Sequence, residues 1–117
     1  MFASCEITTR EGLCLRGDVA GPADGRPVVL LHGGGQTRHS WARTMQVLAD
    51  NGYRALAYDA RGHGDSDWSP TGDYAISTLS DDLLTVLSTL DRPAALIGAW
   101  MGGLTAFHAI GSTPVPV

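Results

Sequence analysis

The sequence predicts an α/β fold, a β-hairpin followed by three parallel strand–helix units. Three observations carry this. Residues 2–9 and 13–19 read as β-strands, split by the turn Arg10-Glu11-Gly12. Val28-Val29-Leu30-Leu31 is a short apolar run without polar alternation, as in a strand covered on both faces of a parallel sheet. Segments with helical apolar spacing separate this run from two later ones, and strand–helix alternation implies a parallel sheet with right-handed crossovers.

In the hairpin, Glu6, Thr8 and Arg10 alternate with Cys5, Ile7 and Thr9. Residues 21–27 are dense in glycine, proline and aspartate and read as a loop. After strand 28–31, Trp41, Met45, Leu48 and Ala49 have helical spacing. Ser40 is the expected N-cap, and Asn51-Gly52 the expected stop. Residues 53–58 form the next strand, and 59–73 a polar loop after it. Ile76, Leu79, Leu83, Leu87 and Leu90 mark an amphipathic helix, with Asp81, Asp82, Thr85 and Thr89 expected on its polar side. Asp91-Arg92-Pro93 ends it. Strand 94–98 and a helix over about 101–110 follow, and 111–117 reads as a closing loop.

The 117 residues suffice for one domain with a modest core. A net charge of −4 without a basic patch argues against a nucleic-acid partner. The N-terminus has neither the basic region nor the apolar stretch of a signal peptide, and no run is long enough for a membrane helix. The expectation is a cytoplasmic protein without a membrane partner, with Cys5 and Cys14 as reduced thiols.

Three motifs follow three strands. His32-Gly33-Gly34-Gly35 follows the first. Glycines there let backbone N–H groups approach a developing oxyanion, though a tight strand-to-helix turn is an equal reading. No Lys-Ser/Thr follows, which speaks against a phosphate loop. Asp59-x-Arg61-Gly62-His63-Gly64-x-Ser66 follows the second and reads as structural, with Asp59 and Arg61 holding the loop by charge-assisted hydrogen bonds. Gly98-Ala99-Trp100-Met101-Gly102 follows the third and has the Gly-x-Nu-x-Gly layout of a nucleophile elbow. Trp100 stands at the nucleophile position, and an indole has only an N–H donor to offer. His39 and His108 read as surface or structural histidines.

In this order and spacing the motifs resemble the N-terminal half of an α/β-hydrolase, over about residues 2–115. Within that superfamily the chain resembles the esterase, C–C hydrolase, epoxide hydrolase and cofactor-free haloperoxidase group. The resemblance implies a serine-type ancestor acting on esters or related small molecules, with no cofactor and no metal. It places the oxyanion loop at 32–36 and the elbow at 98–102. It assigns the oxyanion donors to the backbone N–H groups of Gly34 and Met101, the shaping of the loop to His32 and Gly33, and the room for the elbow to Gly98 and Gly102. Trp41 would pack the helix behind the loop.

Two departures set further expectations. Trp100 in place of serine is expected to cost stability, relax the turn or fill the substrate pocket. In the α/β-hydrolase order the acid and histidine follow the nucleophile. After Trp100 the sequence has no Asp or Glu and only His108. The later strands and the cap are therefore expected to be absent, leaving strand 94–98 as an exposed edge open to self-association. The chain is expected to be inactive alone. The alternative is a non-catalytic ligand-binding or protein-interaction module using the Trp100 pocket and the sheet edge.

Overall fold

The computed structural model describes residues 2–112. Five strands, β1 (Ala3–Thr8), β2 (Cys14–Ala20), β3 (Pro27–Leu31), β4 (Arg54–Tyr58) and β5 (Ala95–Gly98), form one sheet in the order β1-β2-β4-β3-β5. The hairpin β1–β2 is antiparallel, and β2 runs antiparallel to β4. The three later strands are parallel to one another, with Val29 opposite both Leu56 and Leu96. Three helices follow the parallel strands: α1 (Ala42–Asp50), α2 (Ile76–Ser88) and α3 (Met101–Ser112).

The sheet is covered on both sides, which explains the unbroken apolar character of β3. Val29 and Leu31 join Leu15, Leu56 and Tyr58 under Leu83, Val86 and Leu87 of α2 and Ala106 and Ala109 of α3. Val28 and Leu30 point the other way, with Ala55 and Ala57, against Met45 of α1. Trp41, Leu48 and Ala49 pack onto that second cluster. The period-2 alternation of a strand thus feeds two cores at once.

Four expectations are corrected. Ser40 is not the N-cap. A single 3-10 turn (Arg38–Trp41) precedes α1, and Thr37 caps it by accepting from the His39 N–H. The Ser40 hydroxyl instead donates back to the Thr37 carbonyl. Asp82 does not face solvent, because it is buried against an arginine of the β4 loop. Leu90 lies beyond the end of α2, although it still packs on the core. The last helix runs through Ser112, past the expected start of the closing loop, whose residues 113–117 lie outside the described ones. Asn51-Gly52 ends α1 as expected, with Gly52 at φ +87°. Cys5 and Cys14 are free thiols on paired strands, opposite Gly17 and Thr8 respectively. No helix among the described residues is long and apolar enough to cross a membrane.

Candidate active site

Loops at the C-terminal ends of β3, β4 and β5 converge on one end of the sheet. The turn from β5 into α3 is tight. A Cβ on Gly102 would stand 2.3 Å from the Leu31 carbonyl oxygen, and one on Gly98 would stand 2.6 Å from the Gly102 carbonyl carbon. Only glycine lets strand and helix approach this closely. Trp100 occupies the apex at φ +51°, the one non-glycine residue with positive φ among those described. The tight turn therefore persists with tryptophan at its apex. The side chain is 85% exposed, and its Cδ1 lies 3.3 Å from where a Gly33 Cβ would be. The indole stands out beside the glycine loop and is not buried in a pocket.

Met101 begins α3, so its N–H is one of the helix's N-terminal donors without an intrahelical partner. Gly34 faces it, since a Cβ built there would lie 3.9 Å from Met101 Cβ. The glycine loop is held on either side of Gly34. The Gly33 N–H donates to Gln36 Oε1, and the Gln36 N–H to the Gly33 carbonyl, both at 3.0 Å. The Gly35 N–H donates to His63 Nε2 at 3.1 Å. Among the described residues none takes the exposed Gly34 N–H. The structure thus brings Gly34, Met101, Gly33, Gly98, Gly102 and Trp100 to one place.

His32 is buried beneath this loop. Its Nδ1 lies 2.8 Å from the Gly33 carbonyl, and its Nε2 accepts from the Ala60 N–H at 3.0 Å. That pattern requires the neutral Nδ1–H tautomer. Burial, with a smaller contribution from His63, pushes its pKa below the usual value despite the Gly33 carbonyl and Asp59.

The loop after β4 is built on two charge networks. The Arg38 guanidinium reaches Asp59, Asp18 and Asp65, and the Arg38 N–H donates to Asp59 Oδ1 at 2.6 Å. Burial works to raise the Asp59 pKa. The Arg38 and Asp65 N–H groups and the Arg38 guanidinium outweigh it and hold the carboxylate below its ordinary value. Arg61 is fully buried and binds both oxygens of Asp82 on α2, at 2.7 and 2.9 Å, and Glu11 of the hairpin turn at 2.8 Å. Its hydrogen bonds to Asp82, opposed by burial, hold it firmly protonated. Asp59 and Arg61 therefore do hold the loop, each through a partner from elsewhere in the chain. The Ser66 hydroxyl donates to the Asp59 carbonyl at 2.6 Å and accepts from the Arg16 N–H at 2.9 Å, which makes it a structural pin.

Sequence reasoning missed Arg38, Asp82, Glu11 and the bridging role of His63. Their partners lie 20 to 50 positions away in the chain, beyond any local pattern. Below the loops is a cavity of about 10 Å³, lined by His32, Tyr58, Asp82, Met101 and Thr105 among others. That is room for roughly one water molecule, too little for a substrate. Burial and then the Asp82 charge push the Tyr58 phenol up, so it stays neutral there. No cluster of three or more His, Cys, Asp or Glu side chains among the described residues is arranged to hold a metal ion.

Similarity to known proteins agrees with this geometry. The family described as the alpha/beta hydrolase fold matches residues 26–117. The AB hydrolase superfamily protein YfhM of Bacillus subtilis is 36% identical over 113 residues, covering 94% of this chain and 39% of that protein. The non-heme chloroperoxidase CPO-A1 of Kitasatospora aureofaciens is 42% identical over 81 residues, covering 68% of this chain and 29% of that protein. The crystal structure of epoxide hydrolase A from Mycobacterium thermoresistibile superposes with a TM-score of 0.89 at 32% identity, covering all of this chain and 37% of that one. The chain spans two fifths or less of the length of each. With the glycine loop, the Asp59–Ser66 loop and the glycine-flanked turn each standing after its own strand, the chain belongs to the α/β-hydrolase fold family.

Proposed function

We propose that this chain carries the oxyanion-hole half of a serine-type hydrolase of esters or related small molecules, and that it does not turn over substrate by itself. The observation that carries this is Trp100, which holds the apex of the β5–α3 turn at φ +51° without an atom able to attack a carbonyl. The frame around the apex supports the hydrolase reading. Gly34 and Met101 would direct two backbone N–H groups at a developing oxyanion, and Gly98 and Gly102 would hold the turn. Such donors alone stabilise charge but form no covalent intermediate. The test is hydrolysis of p-nitrophenyl acetate and butyrate by the purified chain. No turnover above buffer is expected, and Trp100→Ser alone is expected to remain without multiple turnover. Turnover by the unaltered chain, lost on Gly34→Pro, would refute the proposal.

A second reading is a non-catalytic interaction module. It is favoured by the outer face of α3, where Trp100, Leu104, Phe107 and Ile110 are all exposed beside the outermost strand β5. No Asp, Glu, Lys or Arg lies on β5 or α3. An apolar patch next to an open strand edge is suited to self-association. Sedimentation of the chain against Phe107→Asp decides it: a dimer that the substitution dissociates supports the module, and a monomer at every concentration rejects it.

A further inference from the structure

The loops after β3 and β4 are joined by a reciprocal pair of histidines. The loop after β3 sends His32 to the Ala60 N–H of the other loop, and that loop returns His63 to the Gly35 N–H. The ring centroids stand 4.9 Å apart at a tilt of 49°. His63 Nδ1 lies 3.1 Å from the Arg61 carbonyl, which can only accept, so the proton sits on Nδ1 and the lone pair on Nε2 faces Gly35. Gly35 is exposed at φ +75°, and this bond ties its amide to the neighbouring loop.

We propose that His63 is a pH-sensitive clasp on the glycine loop: neutral, it holds the Gly35 amide, and protonated, it lets it go. A proton taken from solvent onto Nε2 occupies the lone pair that accepts from Gly35. Two N–H donors then face each other, and the bond cannot persist. His63 is only partly buried and open to solvent protons, while His32 is buried and its pKa is held down. The charged groups around the clasp are accounted for. Asp59 and Asp65 are taken up by Arg38, the Arg61 guanidinium is turned to Asp82 and Glu11, and His32 contributes a neutral ring. The residues that follow β5 into α3 add no charge, since Ala99, Trp100 and Met101 carry none. Opening frees the segment that presents the Gly34 N–H and leaves the sheet intact. The clasp acts on a backbone loop and stands whether or not the chain hydrolyses anything.

The test is amide hydrogen exchange and proton–nitrogen correlation spectra of the whole chain between about pH 8 and about pH 5, the interval in which histidine charge normally changes. The Gly35 amide resonance is expected to move with the titration curve of the His63 ring. Its protection factor is expected to fall about tenfold or more on acidification, while Val29 and Leu30 in β3 keep theirs. His63→Gln retains an acceptor but cannot titrate, so it should preserve Gly35 protection and abolish its pH dependence. His63→Ala should lose the protection at every pH. A Gly35 amide that ignores the His63 titration, or that keeps its pH dependence in His63→Gln, overturns the clasp.

Discussion

The two sides of the site are built on opposite principles. On the β4 side, the Asp59–Asp67 loop is cross-linked by ion pairs to the hairpin, to the turn before α1 and to α2. On the β5 side, strand and helix meet through glycines, with Trp100 and Phe107 standing out into solvent. One side is locked through Asp59, Arg61 and Asp82, which are out of water and partnered. The other is closely fitted at its base and open at its rim. The two sides thus meet at one end of the sheet, one closed by ion pairs and the other by glycines, with Trp100 exposed at the apex of its turn.

The sharpest way to break this contrast is to cut the locked side. Arg61→Ala leaves Asp82 buried without its partner, and loss of one member of a buried pair costs about 3–5 kcal/mol. Urea unfolding should show that loss, and Arg61→Lys should recover only part of it, since an ammonium cannot make the two-point contact. A loss under about 1 kcal/mol, the scale of an exposed pair, would show that the network is ornamental.

On the open side the sign reverses. Trp100 buries little, and its left-handed backbone costs about 1–2 kcal/mol relative to glycine. Trp100→Gly should therefore raise stability by about 1 kcal/mol in the same assay. A destabilised variant would mean that the indole beside Gly33 holds the loop.

Acid gives a graded comparison. Asp59 has a lowered pKa in the folded state, so it binds protons more weakly there than in the unfolded chain. Its contribution is fully present above the unfolded value, about 3.9, and is lost as pH falls through the folded one. Stability measured from neutral pH downward should decline across that window. Asp59→Asn should flatten the decline and lower the neutral plateau. An unchanged slope would place the acid sensitivity in another carboxylate.

Local pattern sufficed for the elements. The unbroken run Val28–Leu31 announced a strand covered on both faces, and Leu79, Leu83 and Leu87 announced the buried stripe of α2. The glycines at 98 and 102 were legible because a tight turn needs them wherever it lies. Asp82 was not legible. Helical periodicity sorts charged residues to the solvent side, and nothing near Asp82 in sequence reveals an arginine waiting 21 positions earlier. Thr37 was missed as a cap because a 3-10 turn put the start of the helical segment before the apolar pattern begins.

The sequence by itself determined the strand–helix alternation, the three glycine-bearing motifs and the tryptophan between Gly98 and Gly102, since each is a property of neighbours along the chain. Only the tertiary structure decided that β4 lies between β2 and β3, and that Arg38, Arg61 and His63 tie the loops together. Strand order and charge partners depend on which distant segments bury their apolar faces against each other. A buried charge then takes whichever partner that packing brings within reach, because the alternative is to leave it unpaired out of water.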